Sequence, residues 1–393
     1  VPNAHRKMTK ISDVVVFGGG RWARAYILEL DKILDNPVNI YVVSENNEAG
    51  MSQWVEEAGF SRKINVADNI VRFDRLHFDL CFIVNNALRH FHAAIQVIDS
   101  SNILVEKPVC IDPGSIKLLA DMSRVRDKFF CVSQVFRFSM ILHKFRGEVC
   151  RSYGDSELTV HWADASNARR YGEIKTYDPA ISIIEDVIPH VVSILIFMGF
   201  DVSLRLGDMK VLRGGAEVQF LLHADQFKLR VVLAREAISR KRSLTFFSER
   251  GTSCCDFDNS VMPDGSLQRM LEAFVKSIED CSYDHRLNWE DSYTSAVLTS
   301  EIMPEYRKLQ IEWLALMIKD YDPGYGNDVS YAIREIVLSK VNCDWRVLRD
   351  DWAETFNSIL CELLGGKLNS EKSGLDSMIW NIYKKLTKSR GDQ

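Results

Sequence analysis

The sequence lacks any apolar run long enough to cross a bilayer. The longest, Val187 to Phe200, is interrupted by Pro189 and His190 and falls short of the roughly 20 residues a span needs. It also lacks an excess of positive charge: 49 Lys and Arg against 54 Asp and Glu give a net charge of −5, and the pI is near 6.0. Nucleic-acid and anionic-membrane partners, which call for a basic surface, are therefore not expected. The nine cysteines are odd in number, and none forms a CxxC pair or a Cys/His cluster with zinc-ligand spacing, so neither a disulfide framework nor a metal site is expected. Cys81, Cys110 and Cys131 lie in apolar runs, where thiols act as small hydrophobes, and a reduced cytoplasmic compartment is the simplest expectation. The first residues carry no signal-peptide apolar core, and Met8 is the expected natural start. No internal repeat or low-complexity linker is evident.

What is present is the composition of an ordinary globular protein, 46% hydrophobic and 26% charged over 393 residues, enough for two to three domains of about 150 residues. Val14-Val15-Val16-Phe17 is a short continuous apolar run, the pattern of a parallel strand buried on both faces. Further strands are expected at Asn39 to Val43, Lys63 to Val66, Leu80 to Val84, Ile103 to Val105 and Phe129 to Ser133. Helices are expected between them, including Trp22 to Leu34, His90 to Ile98 and Gly114 to Arg124. This alternation predicts a doubly wound parallel sheet, the Rossmann architecture, over residues 8–140.

The rhythm then changes. Glu157 to Trp162, Ser203 to Leu212, Glu217 to His223, Phe227 to Leu233 and Ser243 to Phe247 read as strands joined by short turns such as Arg213-Gly214-Gly215, which favours antiparallel neighbours. A helix from Ala180 to Phe197 interrupts them, and helices follow at Leu267 to Glu279 and Glu290 to Lys308. The expected organisation is an α+β substrate and oligomerisation domain over 141–310. A helical extension over 311–393 follows, with amphipathic helices at Tyr331 to Leu338 and Trp352 to Leu364.

Gly18-Gly19-Gly20-Arg21-Trp22-Ala23 fits G-x-G-x-x-A directly after a buried strand and at the opening of a helix. Gly18 permits a tight turn, Gly20 lets a pyrophosphate approach the backbone, and Ala23 allows close helix–strand packing, with the helix N-terminus, Arg21 and Trp22 around the anion. An ordinary glycine turn is the competing reading. At the end of the second strand stands Ser44-Glu45-Asn46-Asn47. Ser44 with Asn46 in the selecting position favours NADP(H), the mildly preferred cofactor; Glu45 turned inward favours NAD(H). Asn85, at the end of the fourth strand, is a further expected cofactor contact.

Glu106-Lys107-Pro108 follows a buried strand, at the edge where an open α/β sheet binds its ligand. A lysine there can relay the proton that accompanies hydride transfer, and an adjacent carboxylate can orient it. Asp186 and His190, four apart, share one face of an otherwise apolar helix; burying both is costly unless they are paired or used. Imidazole suits proton transfer near neutral pH. A structural Asp–His pair is the alternative.

Taken in order, the glycine turn, Glu106-Lys107-Pro108 and Asp186-x-x-x-His190 resemble the Gfo/Idh/MocA oxidoreductase family over about residues 10 to 310. His90-Phe91-His92-Ala93-Ala94 looks like that family's H-x-E-x-A helix, and Arg137-Phe138 resembles its R-F motif. The resemblance implies a cofactor at the domain junction, contacted by Glu106, Lys107, Pro108 and His92, and an often cis Lys-Pro bond. It also implies a homodimer or homotetramer built on the open face of the second sheet. Lys107, Asp186 and His190 are the implied catalytic set. The sequence departs from the family pattern where Ser182-Ile183-Ile184 replaces a glycine pair and Ile188 replaces a glycine between Asp and His.

The expected function is an NAD(P)-dependent oxidoreductase acting on a small polar carbonyl or alcohol (a sugar, a cyclitol or a biosynthetic intermediate). Lys107 and His190 relay the proton and Asp186 orients His190. Arg137, His161, Arg170 and Tyr171 are the expected substrate contacts. Alternatives are an imine reductase, a non-catalytic NAD(P)-binding sensor of the same fold, and an interaction protein using Trp345, Trp352 and Trp380.

Overall fold

Val14, Val15 and Val16 are fully buried and Phe17 almost so, because β1 (Asp13–Phe17) lies inside a six-stranded parallel sheet. The structure is a computed structural model describing residues 10–35, 37–73, 77–149, 156–165, 169–170, 173–174, 177–178, 180–225, 227–258, 265–319 and 325–341. After β1 come α1 (Arg21–Ile33), β2 (Asn39–Val43), α2 (Glu48–Ala58), β3 (Ile64–Ala67), β4 (Leu80–Ile83), α3 (His90–Val97), β5 (Asn102–Val105), α4 (Pro113–Val125) and β6 (Phe130–Val132). The strand order is β3-β2-β1-β4-β5-β6. The order reverses between β1 and β4, and there the carboxyl ends of the strands leave a crevice for a ligand. Val14 and Val16 pack with α1 on one face, and Val15 and Phe17 pack with α3 and α4 on the other. Coverage on both faces is why β1 shows no polar alternation.

The second layer follows α5 (Met140–Val149) with β7 (Ser156–Ala165), the short pair β8 (Arg169–Arg170) and β9 (Glu173–Ile174), then α6 (Ile183–Met198). After it come β10 (Arg205–Leu212), β11 (Glu217–His223), β12 (Phe227–Ala237), β13 (Lys241–Ser248) and β14 (Gly251–Asp256). Six of these strands form a sheet in the order β10-β11-β12-β7-β13-β14, antiparallel except where β7 runs parallel to β12. Alternate residues Leu158, Val160 and Trp162 of β7 join Ile184, Val187, Ile188 and Val191 of α6 in one core. α6 begins at Ile183, not at Ala180, because Ser182 caps it: the Glu185 N–H donates to Ser182 Oγ (3.1 Å) and the Ser182 N–H to Glu185 Oε2 (2.7 Å). β14 has no counterpart among the sequence-predicted strands. Its Gly-Thr-Ser-Cys-Cys-Asp holds one well-buried residue, Cys255, so no apolar alternation marks it.

α7 (Ser266–Glu279) turns back to the first layer, and its Leu267, Met270, Leu271 and Phe274 share a core with α1 and β1. α8 (Glu290–Lys319) and α9 (Gly326–Val341) then cross the second layer. The turn Arg213–Gly215 receives them: Gly214 has φ +67°, and a Cβ there would strike the Asp328 carbonyl of α9. Glu335 of α9, 2% exposed, accepts from Tyr306 Oη and Arg307 Nη1 of α8 (both 2.7 Å). The expected helix at 352–364 and the tryptophans 345, 352 and 380 lie outside the described residues. Among the described residues no helix is long and apolar enough to cross a membrane.

Candidate active site

At the glycine turn the backbone leaves room in one direction and closes it in another. Gly18, at φ +147°, abuts Val84 at 3.1 Å from where a Cβ would lie, a Cβ on Gly19 would strike Ser44 Oγ, and one on Gly20 would meet open space. Asn47 Nδ2 donates to the Gly19 carbonyl (3.0 Å) and steadies the turn. Ala23 is fully buried against the sheet and Trp22 packs edge-on to Tyr26. Arg21 opens α1. Ser44 is 1% exposed at the end of β2, whereas Glu45 and Asn46 are exposed. Glu45 Oε2 lies 3.4 Å from Arg89 Nη1, on the turn before α3. No arginine is adjacent in sequence; folding supplies one. Ser44 Oγ and Asn85 Oδ1 are buried with no hydrogen-bond partner among the described residues. A buried unpaired oxygen is costly, and ribose hydroxyls or a carboxamide are groups that would satisfy both. The residues present fit a dinucleotide.

Beyond β5, the half-buried Glu106 side chain is fixed from two sides. Tyr26 Oη (2.5 Å) and Ser133 Oγ (2.7 Å) donate to Oε1, and the Lys107 N–H donates to Oε2 (3.3 Å). Burial raises the Glu106 pKa against these hydrogen bonds. The Lys107–Pro108 peptide is cis, as the resemblance implied. Lys107 Nζ donates to Asp186 Oδ1 (2.6 Å) and to the Asp186 carbonyl (2.9 Å), joining the end of β5 to the first turn of α6. The other Asp186 oxygen lies 3.4 Å from Arg235 Nη2. Arg235, on β12, has no neighbour in the sequence that marks it, and sequence reasoning missed it.

One turn along α6, the His190 ring stacks on Trp162 of β7 (5.1 Å between centroids, 23°) and meets Phe136 edge-on (4.8 Å). Arg242 of β13 lies over the same indole at 4.5 Å and donates to Asp164 Oδ1 at 2.6 Å. Burial first, then the Lys107 and Arg242 charges, hold His190 well below the ordinary imidazole value, against Asp186 and Asp164. His190 is therefore neutral at pH 7, a proton acceptor. The Asp186 carboxylate meets Lys107 and Arg235, and the His190 ring lies stacked on Trp162. An aromatic at an inward β7 position was a legible core signal, but nothing in the sequence paired it with His190.

Three expected residues, Arg137, His161 and His92, stand apart from this cluster. Arg137 is 3% exposed and is a tie between elements, not an open substrate contact. Its Nη1 lies 2.5 Å from Asp291 Oδ2 on α8, and its Nε and Nη2 donate to the Ser193 carbonyl on α6 (3.1 and 3.0 Å). His161 alternates with Trp162 along β7 and so projects from the opposite sheet face; burial and Lys241 lower its pKa. His92 is exposed and contacts Phe91. The residue that grips the loop is His90, whose Nδ1 lies 2.8 Å from the Pro108 carbonyl and Nε2 3.1 Å from that of Asn85. Burial lowers the His90 pKa to about 4, so the ring is neutral and donates to one of the two carbonyls. Arg170 lies on β8, and Tyr171 lies outside the described residues.

No protein-family model and no curated protein sequence matches the chain. Solved structures do match in three dimensions. GenD2 from gentamicin A biosynthesis, in complex with NAD, is similar with a TM-score of 0.61 at 13% identity, covering 77% of this chain and 95% of its own. The myo-inositol dehydrogenase from Lactobacillus casei, in complex with NAD(H) and myo-inositol, gives 0.57 at 14% identity (74% and 93%). A probable dehydrogenase from Thermotoga maritima gives 0.58 at 15% (73% and 94%). The chain therefore has the two-layer dehydrogenase fold that its resemblance to the Gfo/Idh/MocA proteins implied, with about a quarter of its length outside the shared part.

Proposed function

We propose that the protein is an NAD(P)-dependent oxidoreductase of the Gfo/Idh/MocA type. It acts on a small polar carbonyl or alcohol, a sugar, cyclitol or biosynthetic intermediate. The observation that carries this reading is the 2.6 Å contact from Lys107 to Asp186 across the two layers, at the carboxyl edge of β5 and one helical turn from a neutral His190. The dinucleotides in the GenD2 and inositol dehydrogenase structures support the same cofactor class. A bound nicotinamide would supply or accept the hydride. Gly18, Gly20 and the α1 N-terminus would hold the pyrophosphate, and Ser44 and Asn85 the polar groups on either side of it.

The two proton-carrying groups divide the work. The Lys107 ammonium, held by two Asp186 oxygens, has a proton to give to a developing alkoxide. His190, neutral and stacked on Trp162, takes a proton from an alcohol in the opposite direction. The buried Ser44 and the Arg89 guanidinium beside Glu45 support a preference for NADP(H) over NAD(H): a 2′-phosphate suits a cation better than an inward carboxylate does.

In this reading residues 8–140 bind the dinucleotide, 141–310 carry the substrate and a homo-oligomer contact, and 311–393 form an extension. A reduced cytoplasmic compartment is part of the same proposal. Titration with NADPH and NADH separately, followed by tryptophan quenching, tests the cofactor. Consumption of the bound form with a panel of carbonyl and imine compounds, with Lys107→Ala as control, tests the reaction. Failure of both cofactors to bind overturns the reading; tight binding with silence across the panel replaces the enzyme with a sensor.

A further inference from the structure

Arg235 occupies an unusual place. It is 3% exposed, and its guanidinium gathers groups from three elements. Nη1 donates to the Ile181 carbonyl (2.7 Å) and lies 3.4 Å from Tyr331 Oη on α9, and Nη2 donates to the Ser182 carbonyl (3.3 Å) and to Asp186 Oδ2 (3.4 Å). The Tyr177 ring covers it at 4.8 Å. Burial works against its charge, but Tyr331, Asp186 and Glu335 more than offset that and raise its pKa. Two of its contacts are to the backbone that leads into α6, so it holds the strand end and the first helical turn in one arrangement. A rigid planar fork does this, and a lysine does not.

We infer that Arg235 is a positioning residue for the Lys107–Asp186 pair, and that Tyr331 holds it in place from the C-terminal helix α9. The helical extension is thereby connected to the reacting lysine through Tyr331, Arg235 and Asp186, although none of its residues touches Lys107 in this chain of contacts. Arg235 shares the Asp186 carboxylate with Lys107. Without it the carboxylate is left to Lys107 alone and holds Nζ more closely, which leaves that nitrogen less open to an electrophile. This role rests on the oxidoreductase reading above, but its test does not depend on turnover.

The test is reductive methylation of the full-length protein with formaldehyde and dimethylamine–borane at one fixed pH, read at each lysine by peptide mass spectrometry. In Arg235→Met, Lys107 labelling slows by about fivefold, while the exposed Lys63, Lys117 and Lys144 keep their rates. Arg235→Lys, which restores the charge without the fork, recovers part of the rate. Tyr331→Phe keeps the ring, serves in case Arg235→Met fails to fold, and slows Lys107 by about twofold. An unchanged Lys107 rate in a folded Arg235→Met protein overturns the inference, and so does a faster one, which marks simple loosening. An unchanged rate in Tyr331→Phe overturns the part played by α9. NADPH binding measured on the same samples keeps the two claims apart: a wild type that binds no dinucleotide overturns the oxidoreductase reading, whatever the labelling shows.

Discussion

At the glycine turn after β1 the chain works with its backbone. Gly18, Gly19 and Gly20 are consecutive, and what matters is the side chains they do not have: Val84 and Ser44 come close where a Cβ would stand. At the start of α6 the opposite holds. Lys107 lies 79 positions from Asp186, Asp186 lies 49 from Arg235, and Arg235 lies 96 from Tyr331. A turn built from absent side chains is local and tolerates little change at Gly18 and Gly19, where a Cβ would crowd a neighbour. A buried charge cluster assembled from distant elements depends on every partner, because one left alone in the interior is costly.

The sharpest way to separate the two regions is Lys107→Met. Turnover of any panel substrate that the wild type converts falls by about a thousandfold, with NADPH affinity by titration falling far less; a loss of turnover of less than tenfold moves the proton transfer elsewhere. Arg137→Ala strands Asp291 and the Ser193 carbonyl inside the protein, and urea unfolding shows a loss of about 4 kcal/mol. A raised KM with little loss of stability would instead return Arg137 to the substrate.

Acid tests the loop grip of His90. Its folded pKa of about 4 lies below the 6.5 of an exposed imidazole, so between those values the unfolded chain binds the extra proton. Stability is full above the window and is lost as pH falls through it, by about 2 kcal/mol between pH 7 and 5. His90→Gln flattens that part of the urea-midpoint profile, and an unchanged slope assigns the acid sensitivity to other groups. The smallest effect belongs to the turn: Gly20→Ala meets open space and leaves the melting temperature in place, while NADPH binding weakens by about tenfold. Equal affinity would mean that no pyrophosphate approaches there.

The elements legible in the sequence were those whose signal is continuous. The Val14–Phe17 run, the glycines after it and the strands at 39–43, 80–83 and 102–105 appear where apolar patterning placed them. β14 escaped because an edge strand with one well-buried residue carries no alternation. Of the candidate site, Lys107, Asp186 and His190 were legible as residue types in an ordered set. His161 projects from the sheet face opposite Trp162, since neighbouring residues on a strand face opposite ways. His92 is exposed and His90, two positions earlier on the same helix, is buried, a difference that shows only once a partner is in place. Arg137 carries the charge of a ligand and the burial of a core tie, and sequence shows the first alone.

What the sequence by itself determined was local: where the backbone turns tightly, which runs are buried on both faces, and which residues can carry a proton. Only the tertiary structure decided which charges meet. It brought Arg89 to Glu45, gave Asp186 to Lys107 and Arg235, and set Trp162 beneath His190. Backbone conformation follows from neighbours along the chain. The pairing of buried charges depends on the docking of elements tens of residues apart, and no spacing in the sequence encodes that distance.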